Sequence, residues 1–200
     1  MTDAIESGRP TDHGAADDPA RPLGRRSLLA GLGAGAALAA VSTPAAAFIR
    51  PPRAVRELTF EHLHTGERLS AAYMTRGRLD AQGLARLDYI LRDWRTGDVV
   101  RIDRRLYVLL DELRHRLRTD APFQIISGYR APKTNAMLRA ATGGVAQRSY
   151  HTRAMAIDIV VPNRSTEQVR DAALGLRRGG VGYYPSSGFV HVDVGPVRRW

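Results

Sequence analysis

Cysteine is absent from all 200 residues. That excludes a disulfide framework and a thiolate zinc site, so packing must hold the fold and histidine or carboxylate must hold any metal. Lysine is nearly absent as well: Lys133 is the only one, and arginine carries the basic charge. Aromatic residues are only 6% of the chain. They form no aromatic RNA-binding strand, and no helix-turn-helix pattern is present, so a nucleic-acid partner is not expected. Long apolar runs are missing too. The Ala/Gly/Leu-rich stretch from Leu28 to Val41 falls short of the roughly 20 residues a membrane-crossing helix needs.

What surrounds that stretch reads as an export signal. Arg25-Arg26-Ser27-Leu28-Leu29 precedes it and resembles a twin-arginine signal, and Ala45-Ala46-Ala47 after it offers small-residue cleavage. Acids, glycine and proline before Arg25 read as a disordered leader. A signal kept as an N-terminal anchor is the alternative. Setting 1–47 aside leaves residues 48–200, enough for one domain with its own core. The leader holds four arginines against five acids, so the remainder carries 26 basic and 15 acidic groups, net +11. Such a charge suits a polyanion, and the export signal makes wall polymer the expected one, in the periplasm or another extracytoplasmic space. Membrane contact is expected only during export. A merely solvated arginine surface is the bland alternative.

Arg50-Pro51-Pro52-Arg53 reads as an extended tether. Glu57 to His62 and Glu67 to Met74, joined by His64-Thr65-Gly66, predict a hairpin. Asp80 caps a helix carrying Leu84, Leu87, Leu91 and Trp94, stopped by Thr96-Gly97-Asp98. Asp103 caps a second, with Leu106, Leu109, Leu110, Leu113 and Leu117 on one face. Phe123–Ser127 is a short strand, Thr134 to Ala141 a helix, Ala156 to Val161 a strand and Thr166 to Arg177 a helix. Val181 to Tyr184 and Phe189 to Val194 are strands joined by Pro185-Ser186-Ser187-Gly188. The mixture predicts a single α+β domain with a small, mostly antiparallel sheet flanked by helices.

Three residues stand out. His151, Asp158 seven residues on, and His191 form a ligand set of the kind catalytic zinc uses, two imidazoles and a carboxylate with one position left for water. The spacing does not fit one helix turn and requires a loop-then-strand geometry. His191 and Asp193 share a strand face, opposite Val190, Val192 and Val194. If their strand pairs with the one bearing Asp158, the three donors converge. His62 and His64 make a weaker candidate pair on the hairpin, and His115 lies on the charged face of its helix.

The motifs Ser127-Gly128-Tyr129-Arg130, Ser149-Tyr150-His151, Ala156-x-Asp158, Gly179-Gly180-Val181-Gly182-Tyr183-Tyr184-Pro185 and Gly188-Phe189-Val190-His191-Val192-Asp193 resemble those of the M15 group of zinc peptidases, the LAS-type fold of D-Ala-D-Ala peptidases. The nearer likeness is to its DUF882, or murein endopeptidase K-like, branch, across roughly residues 55–200. That resemblance implies Zn2+ on His151, Asp158 and His191, and hydrolysis of peptidoglycan stem peptides, more as an endopeptidase on crosslinks than as a carboxypeptidase. Arg130 would stabilise charge on the scissile carbonyl or hold a substrate carboxylate. Ser127 and Tyr129 would contribute to substrate binding, with Tyr183 and Tyr184 along the groove. No Gly-x-Ser-x-Gly elbow makes Ser127 a nucleophile.

The likeness has two departures. The wider group has Ser-x-His-x-x-Gly-x-Ala-x-Asp, and Ala154 stands where that glycine would be, which predicts a local loop adjustment. A general base also sits three or five residues before the last zinc histidine in many M15 enzymes, and those positions are Gly188 and Ser186. Asp193 is the substitute base or, the favoured reading, the carboxylate that orients a histidine ligand. The missing base motivates one competing function, a wall-binding protein without turnover.

Overall fold

The computed structural model describes residues 54–200; the leader, its cleavage site and the tether lie outside them. The expected hairpin forms from β1 (Val55–His62) and β2 (Arg68–Thr75), antiparallel. Leu58 and Phe60 alternate inward on β1, and Ala71 and Tyr73 on β2. A two-residue strand, β3 (Arg78–Leu79), extends β2.

Helix α1 (Ala81–Ile90) starts where Asp80 accepts the Gly83 N–H at 2.9 Å. It ends four residues before Trp94, which sequence spacing had placed on its apolar face. Asp93 explains the early stop. Its carboxylate accepts the backbone N–H of Arg95 and Ala131 (2.9 and 2.8 Å), fixing a turn that competes with further helix. Helix α2 (Arg104–Leu117) is capped by Asp103 and buries all five leucines named for it. Tyr107 and Arg104 bind Asp88 of α1, and Tyr73 and Arg56 bind Asp111 of α2, so these buried acids are paired.

The rest of the chain supplies β4 (Phe123–Ser127), α3 (Pro132–Thr142), β5 (Ala156–Val160), α4 (Thr166–Leu176), β6 (Gly180–Tyr184), β7 (Phe189–Asp193) and β8 (Arg198–Arg199). Eight strands form one sheet in the order β3-β2-β1-β4-β5-β7-β6-β8. Only β1–β4 and β6–β8 pair in parallel. Helices α1, α2 and α4 pack on the sheet, and Leu106, Leu110, Leu113, Ile157, Ile159, Val190 and Val192 meet in the core. The expected α+β class, mostly antiparallel, is what the chain adopts. Among the described residues no helix is long and apolar enough to cross a membrane.

Candidate functional site

Strands β5 and β7 pair antiparallel with Asp158 directly opposite His191. Because Ile157, Ile159, Val190 and Val192 turn into the core, Asp158 and His191 turn the other way, side by side. His151 comes from a single 3-10 turn, residues 151–153, just before β5. That turn closes at Ala154, whose φ of +55° lies in the left-handed region. The substitution at the expected glycine is therefore absorbed at the residue itself.

Each imidazole is fixed from behind. His151 Nδ1 lies 2.7 Å from the Gly128 carbonyl oxygen and donates to it, which leaves Nε2 as a bare lone pair. Gly128 itself is packed against the Leu91 backbone, where a Cβ would sit 2.5 Å from the Leu91 carbonyl oxygen. His191 Nε2 donates to Asp193 Oδ2 at 3.0 Å, so Nδ1 also presents a lone pair. His151 Nε2, His191 Nδ1 and Asp158 Oδ1 converge with separations of 3.1, 3.2 and 2.8 Å.

Three acceptors at such distances repel unless a positive charge sits among them. A tetrahedral zinc with bonds near 2.0–2.1 Å would space its ligands about 3.3–3.5 Å apart, a few tenths of an ångström from what is observed. Two nitrogens and one carboxylate are also a donor set zinc favours. The residues therefore fit the ion. Burial opposes Asp158's charge, but His151 and His191 outweigh it and hold the carboxyl below its usual range. Burial lowers His191, and Asp158 and Asp193 more than reverse that and raise it.

Asp193 is fully buried. Oδ1 accepts from Gly180 N (3.1 Å), Gly195 N (2.8 Å) and Arg198 Nη1 (3.0 Å), and Oδ2 from His191 and Arg198 Nη2 (2.6 Å). Burial would raise its carboxyl, but His191, Arg198 and Gly195 hold it low. Arg130 reaches Ser127 Oγ at 3.2 Å and lies 3.7 Å from Asp158 Oδ2. Burial lowers the guanidinium from its ordinary value against the pull of Asp158.

The triad opens onto a groove of about 520 Å³ lined by Arg130, Arg148, Tyr150, Tyr184, Phe189 and Trp200, among others. Ser127 and Tyr129 are not among its lining residues; Ser127 supports Arg130, and half-buried Tyr129 packs against the core, as does Tyr183. Asp158 is the only carboxylate among the lining residues. Gly188 and Ser186 are exposed, and neither supplies a base. His62 is buried, its Nδ1 accepting the His64 N–H, and His64 stacks on Trp94 at 4.6 Å. His115 lies 3.5 Å from Asp111. Among the described residues only His151, Asp158 and His191 gather as a metal-holding group of three.

Sequence reasoning missed Arg148, Arg198 and Trp200. The last two arrive on β8 and the residue after it, a strand too short to leave a periodic signal. Gly195-Pro196 is the one cue, a turn after β7 that sends the chain back alongside β6.

Residues 50–200 match the family model described as Peptidoglycan L,D-endopeptidase MepK, Peptidase_M15_2. The chain is 44% identical over 176 residues to Peptidoglycan L,D-endopeptidase MepK of Escherichia coli (strain K12), covering 88% of this chain and 96% of that protein. It is 42% identical over 164 residues to the Probable peptidoglycan L,D-endopeptidase MepK of Haemophilus influenzae, covering 82% and 83%. No solved structure matches it. With a His-Asp-His site on paired strands and the turn before β5, and a family match across three quarters of its length, the chain belongs to the MepK family of M15 peptidases.

Proposed function

We propose that this protein is a zinc-dependent peptidoglycan endopeptidase that hydrolyses L,D peptide crosslinks of the cell wall. The observation that carries the reading is the convergence of His151 Nε2, Asp158 Oδ1 and His191 Nδ1, each pair 2.8 to 3.2 Å apart. Kinship to proteins named as L,D-endopeptidases supports the bond type. Zinc, when bound, supplies a Lewis acid and an activated water.

The chain's own residues do the rest. Gly128 and Asp193 hold the two imidazoles in the ligating tautomer. Arg130, steadied by Ser127 and directed along Asp158, offers its guanidinium to the charge that develops on the scissile carbonyl oxygen. Asp193, saturated by five donors and sealed from solvent, orients His191 and is not free to shuttle a proton. Arg148 adds positive charge along the groove, which suits stem peptides with free carboxylates.

Peptidoglycan lies outside the cytoplasmic membrane, so this activity requires export. The twin-arginine pair and Ala45-Ala46-Ala47 support release of a 48–200 domain into the periplasm. The test is incubation of the 48–200 protein with purified sacculi. New muropeptides should form, vanish on chelation and return with zinc. Binding without products would favour the wall-binding reading, and products whose only new ends are terminal D-Ala losses would favour a carboxypeptidase.

A further inference from the structure

We infer that Arg198 is a positioning residue of the metal centre, acting on His191 through Asp193, and that Tyr150 and Trp200 hold it in place. This rests on the reading of the triad as a zinc site. Arg198 makes a forked contact with Asp193, 3.0 Å to Oδ1 and 2.6 Å to Oδ2. Its guanidinium carbon lies 4.6 Å from the Tyr150 ring centre and 4.8 Å from that of Trp200, so two aromatic rings hold one cation. Trp200 also lies 5.2 Å from the His191 ring and donates through Nε1 to Tyr184 at 2.7 Å.

Three glycines make the clasp possible. A Cβ on Gly180 would come 2.4 Å from Arg198 Nη1, on Gly182 2.7 Å from the Trp200 ring, and on Gly195 2.5 Å from the Tyr150 ring. The backbone bonds Trp200 N to Val181 O and Tyr183 N to Trp200 O keep this segment beside β6. A buried carboxylate that keeps one imidazole in register needs its own direction fixed. A planar fork held beside two aromatic rings does this where a lysine, with a single point of contact, does not.

The experiment measures zinc affinity by competition with a chromogenic chelator, on the 48–200 protein and four variants. Arg198→Ala should lose zinc affinity about 10–100-fold, the size usual for groups behind a ligand. Arg198→Lys keeps the charge and should recover only part of it. The double variant Arg198→Ala/Asp193→Asn should bind no more weakly than Asp193→Asn alone, because both changes act on one contact. Losses that add in the double variant, or affinity within about twofold of wild type in both single Arg198 variants, would overturn the inference. Should Arg198→Ala not fold, the lysine variant alone decides between partial loss and none. A wild-type protein that binds no zinc would instead overturn the metal reading itself.

Discussion

Asp158 and His191 stand opposite each other in the β5–β7 ladder, with His191 Nδ1 2.8 Å from Asp158 Oδ1. Two residues 33 positions apart in sequence thus share one rung of a sheet whose opposite face is packed in the core. The rung is rigid because Ile157, Ile159, Val190 and Val192 are all buried beneath it. His151 joins them from a turn whose geometry depends on Ala154 and Gly128. The metal site is therefore the place where sheet register, one left-handed residue and one bare glycine coincide.

The first prediction concerns metal content. Alanine at His151, Asp158 or His191 removes one of three convergent donors, and each purified variant should lose its equivalent of zinc and its action on sacculi. His62→Ala, His64→Ala and His115→Ala should keep both. Zinc retained by His151→Ala but lost by His62→Ala would mean that the ion sits elsewhere.

Arg130 separates chemistry from binding of the metal. Replacing it with Ala should lower turnover on muropeptides about 10²–10³-fold, the size of a lost donor to a developing oxyanion. Zinc affinity should move far less, since Arg130 approaches only the outer oxygen of Asp158, at 3.7 Å. A variant that loses zinc in proportion to turnover would make Arg130 a support of Asp158 instead.

Ala154 tests how opposing terms balance. Glycine there would relieve a left-handed conformation worth about 1–2 kcal/mol. It would also forfeit a buried methyl, about 0.8 kcal/mol, and add about 0.5–1 kcal/mol of unfolded-state freedom. These terms nearly cancel, so Ala154→Gly should change unfolding free energy by less than about 1 kcal/mol. A loss above about 2 kcal/mol in urea unfolding would show that packing of the methyl dominates.

His62 should make stability depend on pH. Burial, then the like charges of His64 and Arg92, depress it from 6.5 to about 4, with Glu67 opposing. The folded state therefore keeps it neutral while the unfolded chain protonates near pH 6.5. Its contribution is fully present above that value and is lost as pH falls through the window from 6.5 to about 4. Between pH 7 and pH 5 the loss should be about 2 kcal/mol. Metal-free protein and its His62→Gln variant, unfolded in urea at both pH values, provide the check. A stability difference between the two proteins that stays constant with pH would remove His62 from the account.

Export is tested on the full chain. Changing Arg25 and Arg26 together to Lys should leave precursor in the cytoplasm, and mature protein from the unaltered chain should begin at Phe48. Normal processing of the double variant would point to another route.

The sequence by itself determined the six longer strands, the helix starts and the ligand types. Alternation along Ile157–Ile159 and Val190–Val194 set which residues face the core, and Asp80 and Asp103 marked helix starts by local capping, which depends only on near neighbours. With no cysteine available, histidine and aspartate were left as the donors. Motif likeness named the three that matter. Only the tertiary structure decided what depends on contacts between distant segments. The end of α1 was misplaced at Trp94 because Asp93 is drawn to Ala131, nearly forty positions on. The role of Asp193 stayed open in sequence, because a carboxylate two residues from a ligand can face water or be sealed. Here Gly180, Gly195 and Arg198 close around it. Arg198 and Trp200 carry no periodic or motif signal, and they belong to the site because β8 pairs with β6. Short-range patterns are written in spacing, while the surroundings of a buried charge are written only in the packing.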